Sequence, residues 1–358
     1  MSEPDQTKRP RAGRRTSSGP TVSDVAREAG VSLMTVSRVV NRENNVLPAT
    51  RKKVERVIAA LGYVPNPAAR SLAGGRQCRI ALLHSNPSAA YLSELLVGAL
   101  AEASQSDAQL IVEHWGERDT SAHLMRRLGS HHVDAVLLPS PLCEDPALID
   151  TLCADGFEIA QVAPGRPLSA VHAVTIDDVG AARSITAHLI GLGHRRIGFI
   201  KGNPAQFQSE LRQTGYEQAL IEAGLEMDEA LIQPGDFTYR SGLAAAESLL
   251  SLEQRPTAIF ASNDDMAAAV VSVAHRRHLE VPDDLSVCGF DDTAMATTVW
   301  PELTTIRQPV AEMARTATSL LARSVRSHRN GKQFGPQHEQ LDYELVARGS
   351  SAPPRSGD

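Results

Sequence analysis

The sequence has few cysteines and no long apolar run. Its four cysteines, Cys78, Cys143, Cys153 and Cys288, include no CxxC pair, so their spacing predicts neither a disulfide framework nor a zinc site. No stretch approaches the roughly 18 continuous apolar residues of a membrane span. The first 20 residues also lack the apolar core of a signal peptide. We therefore expect no association with a membrane.

Signatures of catalysis are also missing. The sequence contains no HExxH, GxSxG or GxxxxGK(S/T) motif. Its 12 histidines do not cluster at metal-ligand spacing, and His275 and His278 lie in a basic segment that predicts a solvated helix face. We expect no enzyme activity, no cofactor and no bound metal.

Charge is divided unevenly along the chain. Residues 1–79 carry 15 Lys and Arg against 6 Asp and Glu, a balance of +9, and the net charge of −6 therefore leaves −15 for the remainder. Clustered basic residues attract phosphates, whereas acidic surfaces repel them. The sequence thus predicts a small nucleic-acid-binding unit followed by a larger acidic body. Residues 1–20 are predicted to be a disordered basic arm, which either contacts DNA or is only solvated.

The segment from Thr21 to Asn41 describes two short helices joined by a glycine turn. Thr21 and Asp24 stand at cap and third-helical spacing. Gly30 permits the turn, and Ser32 can cap the second helix. One face of that helix is apolar and is expected to pack inward through Val36, Val39 and Val40. This is the outline of a helix-turn-helix.

The opposite face of the second helix carries Leu33, Met34, Ser37 and Arg38. Two outward apolar side chains beside an arginine suit a DNA major groove. Leu33 and Met34 could contact thymine methyls there, and Arg38 could donate to guanine O6 and N7. The alternative is that Leu33 and Met34 pack against a neighbouring domain.

Five motifs follow one another between Val22 and Gly75: DVAREAGVS, TVSRVVN, TRKKV, LGYVPN and ARSLAGG. Together they closely resemble the DNA-binding headpiece and hinge of the lactose-repressor (LacI/GalR) family of bacterial transcription regulators. The resemblance implies a helix-turn-helix domain over 21–65, with its recognition helix from Ser32 to Asn41, and a hinge helix and linker over 66–78. The positions it implies for DNA contact are Thr21, Ser32, Leu33, Met34, Thr35, Ser37, Arg38, Asn41, Asn66, Ala69, Leu72 and Ala73.

By the same resemblance, the hinge helix is ordered only on cognate DNA, where Leu72 wedges into a minor-groove step and kinks the duplex. The sequence departs from the family pattern at Leu47, which precedes Pro48 where relatives usually place a polar helix cap. Without a hydroxyl at this position, the third helix is expected to lose about 1 kcal/mol of stability.

From Arg79 onwards, short apolar strand patterns alternate with helical patterns, as in parallel α/β domains. The resemblance implies an α/β periplasmic-binding-protein-like body of two Rossmann-like subdomains over 79–350, with crossings between the lobes near Asp178, Ile306 and Gln337. A ligand is expected across the carboxyl ends of both sheets. The proline-broken tail over 351–358 is predicted to be disordered.

The resemblance also implies an effector site in this body. The positions that it matches are Tyr91, Arg212, Phe237, Asn263 and Asp291, with Asp177 and Asp236 as further candidates. A sugar suits this set, because its hydroxyls pair with a carboxylate and an arginine while its apolar face lies on an aromatic ring. The alternatives are that the carboxylates cap turns, that Arg212 pairs with Glu210 or Glu217, and that the aromatic side chains belong to the core.

These observations predict a homodimeric repressor of carbohydrate uptake or catabolism genes in the bacterial cytoplasm, at the nucleoid. It would bind pseudo-palindromic double-stranded operator DNA and be released by a small sugar-like effector. The alternatives are a global regulator controlled by a protein partner, a regulator with a nucleobase-like corepressor, and a sugar-binding transport component. The helix-turn-helix and the missing signal peptide oppose the last of these.

Overall fold

A computed structural model describes residues 20–40, 46–63, 77–85, 88–116 and 118–355 of the chain. Contacts divide the chain into two units, one ending at Gln77 and one beginning at Cys78. Residues 1–19 of the basic arm and the predicted hinge helix lie outside the described residues. So do five of the predicted DNA-contact positions: Asn41, Asn66, Ala69, Leu72 and Ala73.

The N-terminal unit contains, in its described part, the helices α1 (Val22–Ala29), α2 (Leu33–Val40) and α3 (Pro48–Leu61). Thr21 and Asp24 form a capping box, since each side chain accepts a hydrogen bond from the other residue's backbone N–H. Gly30 ends α1 at φ 59°, in the left-handed region that a Cβ disfavours. The Ser32 hydroxyl then accepts from the Thr35 N–H at 3.1 Å and starts α2.

These three helices enclose a small apolar core. Its buried members are Val25, Ala26, Ala29, Val36, Val39 and Val54. Val36 and Val39 turn inward as the helical spacing predicts, whereas Val40 is half-buried. No side chain caps α3 at Leu47, which agrees with the departure noted in the sequence.

The body alternates strands and helices from Cys78 onwards. Its strands are β1 (Cys78–His84), β2 (Ala108–His114), β3 (Ala135–Pro139), β4 (Glu158–Val162), β5 (His172–Thr175), β6 (Ile197–Ile200), β7 (Ile232–Gln233), β8 (Ala258–Ala261), β9 (Ser286–Cys288), β10 (Thr305–Arg307), β11 (His338–Gln340) and β12 (Glu344–Val346). Its α-helices are α4 (Ala89–Gln105), α5 (Ser121–Ser130), α6 (Pro146–Ala154), α7 (Asp178–Gly191), α8 (Phe207–Glu222), α9 (Tyr239–Leu250), α10 (Asp264–Arg276), α11 (Ala294–Thr298) and α12 (Val310–Arg329).

Within the described part of the body, two parallel sheets form the centres of two lobes. The first contains six strands in the order β11-β5-β4-β3-β1-β2, and the second contains four in the order β7-β6-β8-β9. α12 packs against α4 and the first sheet, and α7 packs against α8 in the second lobe. This architecture confirms the fold class that the family resemblance implied.

The chain passes between the lobes at three places. It crosses after β5 into α7, and it returns after β10 into α12. The third crossing, predicted near Gln337, lies a few residues beyond it and after β11, because β11 still pairs in parallel with β5 of the first sheet. Gln337 itself is held at that sheet, since its carbonyl accepts from the Ala173 N–H at 3.0 Å. The segment 341–343 therefore leads to β12, which pairs antiparallel with β10.

The C-terminal tail differs from the predicted disorder as far as the structure describes it, to Arg355. Ser351 bonds His188 Nε2 at 3.0 Å, and the Ala352 N–H donates to the Ser286 hydroxyl at 3.0 Å. These polar partners lie in the second lobe and are distant in sequence, so the tail composition alone could not indicate them. In the described ranges no helix is long and apolar enough to span a membrane.

Candidate functional sites

The outward face of α2 exposes two large apolar side chains. Leu33 is 52% exposed and Met34 is 64% exposed, while Val36 and Val39 hold the opposite face in the core. Ser37 and Arg38 are half-buried on the same helix. An exposed apolar pair beside an arginine can contact thymine methyls and a guanine edge together.

Hydroxyl groups lie at the N-termini of α1 and α2. The Thr21 hydroxyl donates to the Asp24 carboxylate at 2.7 Å, and the Ser32 and Thr35 hydroxyls are 2.9 Å apart. Helix N-termini carry partial positive charge and outward N–H groups, which favours phosphate nearby. The structure therefore puts all seven described DNA-contact candidates on α2 or at the starts of these two helices: Thr21, Ser32, Leu33, Met34, Thr35, Ser37 and Arg38.

In the body, a cavity lies between the two lobes at the carboxyl ends of both sheets. Five of the seven effector candidates line it: Tyr91, Arg212, Phe237, Asn263 and Asp291. They come from the first turn of α4, from α8, and from the segments that follow β7, β8 and β9. The parallel sheets explain the gathering, because strand ends of one polarity meet at one edge.

Arg212 is buried and directed inward, not towards a surface glutamate. Its Nε donates to Asp178 Oδ1 at 2.9 Å, and its Nη1 donates to the Ser262 carbonyl at 2.6 Å. The same Nη1 lies 3.7 Å from Asp291 Oδ1. The guanidinium also stacks over the Phe290 ring, with 3.6 Å from Cζ to the ring centroid.

Asp291 is 9% exposed and holds a backbone φ of 105°, in the left-handed half of the map. Its N–H donates to the Ile306 carbonyl at 2.8 Å, and its Oδ1 accepts from Gln308 Nε2 at 3.1 Å. Burial raises the pKa of Asp291 well above its usual range, although the Arg212 charge opposes the rise. Burial also raises the pKa of Asp178 against the same arginine.

The aromatic and amide candidates have structural as well as lining roles. Tyr91 is buried in the first turn of α4, and burial raises the pKa of its hydroxyl. Asn263 caps α10 by accepting from the Met266 N–H, and its Nδ2 donates to the Phe237 carbonyl at 2.9 Å. Asn263 thus fixes the loop that presents Phe237 to the cavity.

Asp177 and Asp236 do not line the cavity. The Asp177 carboxylate caps α7 by accepting from the Gly180 N–H at 2.8 Å. The Asp236 carboxylate accepts from the Thr238 N–H at 2.9 Å in an exposed turn. The neighbour of Asp177, Asp178, is the carboxylate that pairs with Arg212.

Several cavity residues were missed in the sequence. The lining also includes Ser88, Ser140, Ala163, Gln206, Gln208 and Gln308. The buried Oε1 atoms of Gln208 and Gln308 have no hydrogen-bond partner among the described residues. Gln208 stands one helical turn before Arg212, and Gln308 follows the TTIR motif of the second crossing, so their spacing from recognised residues could have indicated them. Unsatisfied buried oxygens are typical of a site for a donor ligand or water.

The cavity is small in this arrangement of the lobes. Its volume is about 30 Å³, room for about two water molecules. Contacts between the lobes surround it: Ser88 donates to Asp265 at 2.8 Å, and Ser140 donates to Gln206 at 2.7 Å. A ligand the size of a sugar therefore requires the lobes to separate or these side chains to move.

The two units together define a class: a helix-turn-helix DNA-binding unit joined to a two-lobed α/β body with an interlobe cavity, as in ligand-responsive transcription regulators. Residues 21–66 match the model for bacterial regulatory proteins of the lacI family. Residues 186–351 match the model for periplasmic binding protein-like domains.

Comparison with whole proteins gives the same result. The chain is 36% identical to catabolite control protein A of Priestia megaterium, covering 92% of this chain and 99% of that protein. It is 36% identical to the regulator CelR of Thermobifida fusca, covering 92% and 98%. The protein belongs to the lacI family of bacterial regulatory proteins and is a DNA-binding transcription regulator.

Solved structures are similar over nearly the whole chain. A CelR–cellobiose complex has a TM-score of 0.69 at 34% identity and covers 92% of this chain and 99% of its own. The lac repressor dimer bound to operator and the anti-inducer ONPF has a TM-score of 0.70 at 26% identity, covering 94% and 100%.

Proposed function

We propose that this regulator is a homodimeric repressor of carbohydrate uptake or catabolism genes, released from its operator by a small neutral sugar. The observation that carries this proposal is the interlobe cavity, in which Arg212, Asp291 and two unpaired amide oxygens face one space. Sugar hydroxyls would donate to these oxygens and accept from the guanidinium. The similarity to a structure described as a CelR–cellobiose complex supports the same ligand class.

On the DNA side, α2 would enter the major groove with Leu33, Met34 and Arg38 facing the bases. One such helix reads only a few base pairs, so two headpieces on a pseudo-palindromic operator are needed for specificity. The similarity to a lac repressor dimer on its operator supports a dimer here. The hinge contacts, Leu72 among them, are part of this proposal, and so is a location at the nucleoid in the bacterial cytoplasm, where operator DNA lies.

Control would follow from the two-lobed body. A ligand bound between the lobes stabilises one relative position of them, and the dimer then presents its headpieces at a different spacing. By linkage, the ligand must weaken operator binding by the same factor by which operator weakens ligand binding. We propose no enzyme activity and no cofactor, since the cavity residues form a recognition set.

A second candidate is a regulator controlled by a protein partner or by a nucleobase-like corepressor. The cavity volume of about 30 Å³ favours control by a protein partner, because ligand pockets usually measure about 300–1,000 Å³. The buried pair of Arg212 and Asp178 opposes a protein partner as sole effector. A buried ion pair is often no more stabilising than apolar residues of the same volume, so we infer that this pair is kept for recognition, and it borders a space that a partner protein could not enter.

The test is a release assay with the full-length protein. Binding sites selected from random DNA give an operator, and fluorescence anisotropy then measures its dissociation constant with and without neutral sugars. We expect at least one sugar to weaken operator binding about tenfold or more, a coupling typical of allosteric proteins. The Asp291→Ala variant should bind operator normally and lose the response. Release of the variant by the same sugar would remove Asp291 from the site, and a panel without effect would contradict the sugar proposal.

A further inference from the structure

A second, larger cavity opens at the same interlobe cleft. Its volume is about 300 Å³. The first lobe contributes Glu144, Arg166 and Leu168, and the second contributes Phe207, the first residue of α8, and Ala205 from the loop before it. We call this space the outer cavity, and the space around Arg212 the inner cavity.

Two side-chain hydrogen bonds involve residues that adjoin the outer cavity in sequence. The Ser140 hydroxyl donates to Gln206 Oε1 at 2.7 Å, and Gln208 Nε2 donates to the Ala163 carbonyl. All four of these residues line the inner cavity, whereas Phe207, between the two glutamines, lines the outer cavity. Both hydrogen bonds join one lobe to the other. Separation of the lobes would break these hydrogen bonds, and we expect it to remove this partition and join the two spaces.

The sizes of the two spaces decide what they can hold. The inner cavity, at about 30 Å³, is too small for a sugar ring, whereas the outer cavity, at about 300 Å³, reaches the lower end of the range for ligand pockets. The inner cavity holds the buried recognition groups, and the outer cavity holds most of the volume. A single ligand that uses both must extend across the partition.

The lining of the outer cavity suits a neutral ring. The Arg166 guanidinium carbon lies 3.5 Å from the Phe207 ring centroid, and this cation–π contact joins the first lobe to the second. Leu168 and Phe207 supply apolar surface, and Glu144 supplies a carboxylate whose Oε1 accepts from the Gly165 N–H at 2.6 Å. Burial raises the pKa of Glu144, and the nearby Arg166 charge opposes the rise. Glu144 and Arg166 contribute opposite charges to the lining, so this cavity offers a phosphate no net positive charge and suits a neutral ligand better.

We propose that the outer cavity is a second subsite of the effector cleft, which takes a neutral pyranose unit, so that the effector is a disaccharide and not a monosaccharide or a sugar phosphate. One ring lies among Arg212, Asp291 and the glutamines, and the second lies against Phe207 and Leu168. Glu144 accepts from hydroxyls of the second ring. This inference rests on the proposed sugar response, but it makes a separate claim about length and charge.

The experiment is isothermal titration calorimetry of the full-length protein with matched probes. The probes are glucose, cellobiose, maltose, galactose, lactose and glucose 6-phosphate. We expect one disaccharide to bind at least about tenfold more tightly than its monosaccharide and than the phosphate, which corresponds to about 1.4 kcal/mol. Ala205→Trp would fill the outer cavity from an exposed position, and Ala205→Ser is its matched control.

The variants separate the possible outcomes. Ala205→Trp should reduce disaccharide affinity to that of the monosaccharide and leave monosaccharide affinity unchanged, whereas Ala205→Ser should change neither. Phe207→Ala should weaken the disaccharide selectively. Equal affinity for mono- and disaccharides, or an equal effect of Ala205→Trp on both, would overturn the outer subsite and leave the sugar response intact. If no probe binds to protein that still binds operator, both the subsite and the sugar response are overturned.

Discussion

Replacing Arg212 with methionine should destabilise the body and abolish the effector response. The variant leaves the Asp178 carboxylate, 4% exposed on its side chain, without the guanidinium that donates to it at 2.9 Å. Removing one partner of a buried pair costs about 3–5 kcal/mol. Because burial already raises the pKa of Asp178, protonation relieves part of that cost. We therefore expect a loss of about 3 kcal/mol at pH 7.

The stability that Arg212→Met loses should increase with pH, and the reason is the pKa of Asp178. The pKa of the Asp178 carboxyl group in the folded protein lies above its unfolded value of 3.8. The folded protein therefore loses stability as the pH rises through the folded pKa. Loss of Arg212 raises the pKa of Asp178 further, so the stability difference between variant and wild type should be larger at pH 7 than at pH 5. Urea unfolding followed by tryptophan fluorescence measures it, since Trp115 and Trp300 both lie in the body.

Two further variants complete this test. Arg212→Met combined with Asp178→Asn should regain part of the stability, because Asp178 no longer leaves a buried charge unpaired, whereas Asp291, 3.7 Å from Arg212 Nη1, still loses its cation; it should not regain the response to sugar. Arg183→Met removes an exposed ion pair with Glu222 and should cost at most about 1 kcal/mol. If Arg212→Met were no less stable than Arg183→Met, or if the double variant responded to sugar, the assignment of Arg212 would be refuted.

Three further predictions concern other parts of the chain. Arg38→Ala should abolish preference for operator over random DNA and leave a salt-dependent background, and an unchanged preference in anisotropy titrations would contradict the groove contact. Leu47→Ser should supply the missing cap of α3 and stabilise this helix by about 1 kcal/mol. The backbone amides of α3 should then exchange more slowly with solvent, and unchanged exchange would refute the capping role of position 47. Gly98→Ala would place a Cβ 1.8 Å from the Ala311 carbonyl oxygen and should destabilise the body by about 1–3 kcal/mol in urea unfolding. Gly129→Ala, with open space around it, is the control and should not destabilise the body. Equal stability of the two variants would refute the close packing of α4 on α12.

The headpiece could be predicted from sequence in detail because its determinants are local. Thr21, Asp24 and Gly30 act within one helical turn, and the valine spacing on α2 fixes which face turns inward. The exposed position of Leu33 and Met34 follows directly from that spacing.

The cavity could be predicted only in part. The family resemblance identified Arg212 within α8 and Asp291 after β9, and a ligand site at the carboxyl ends of both sheets made their convergence expected. Gln206 and Ser140 enter the cavity because the two lobes meet there, and this relative position of the lobes is not encoded in any one segment. Asp177 and Asp178 are adjacent, and only the packing of α7 on α8 decides that the second one reaches Arg212.

The most direct test measures how strongly effector binding in the body and operator binding by the N-terminal unit affect each other. Calorimetry gives the dissociation constant of the effector for free protein and for the protein–operator complex, and anisotropy gives the operator constant with and without effector. We predict that operator raises the dissociation constant of the effector by the same factor by which the effector raises that of the operator. This factor should be about tenfold or greater. An effector that binds free and operator-bound protein with equal affinity would contradict control of DNA binding by the body.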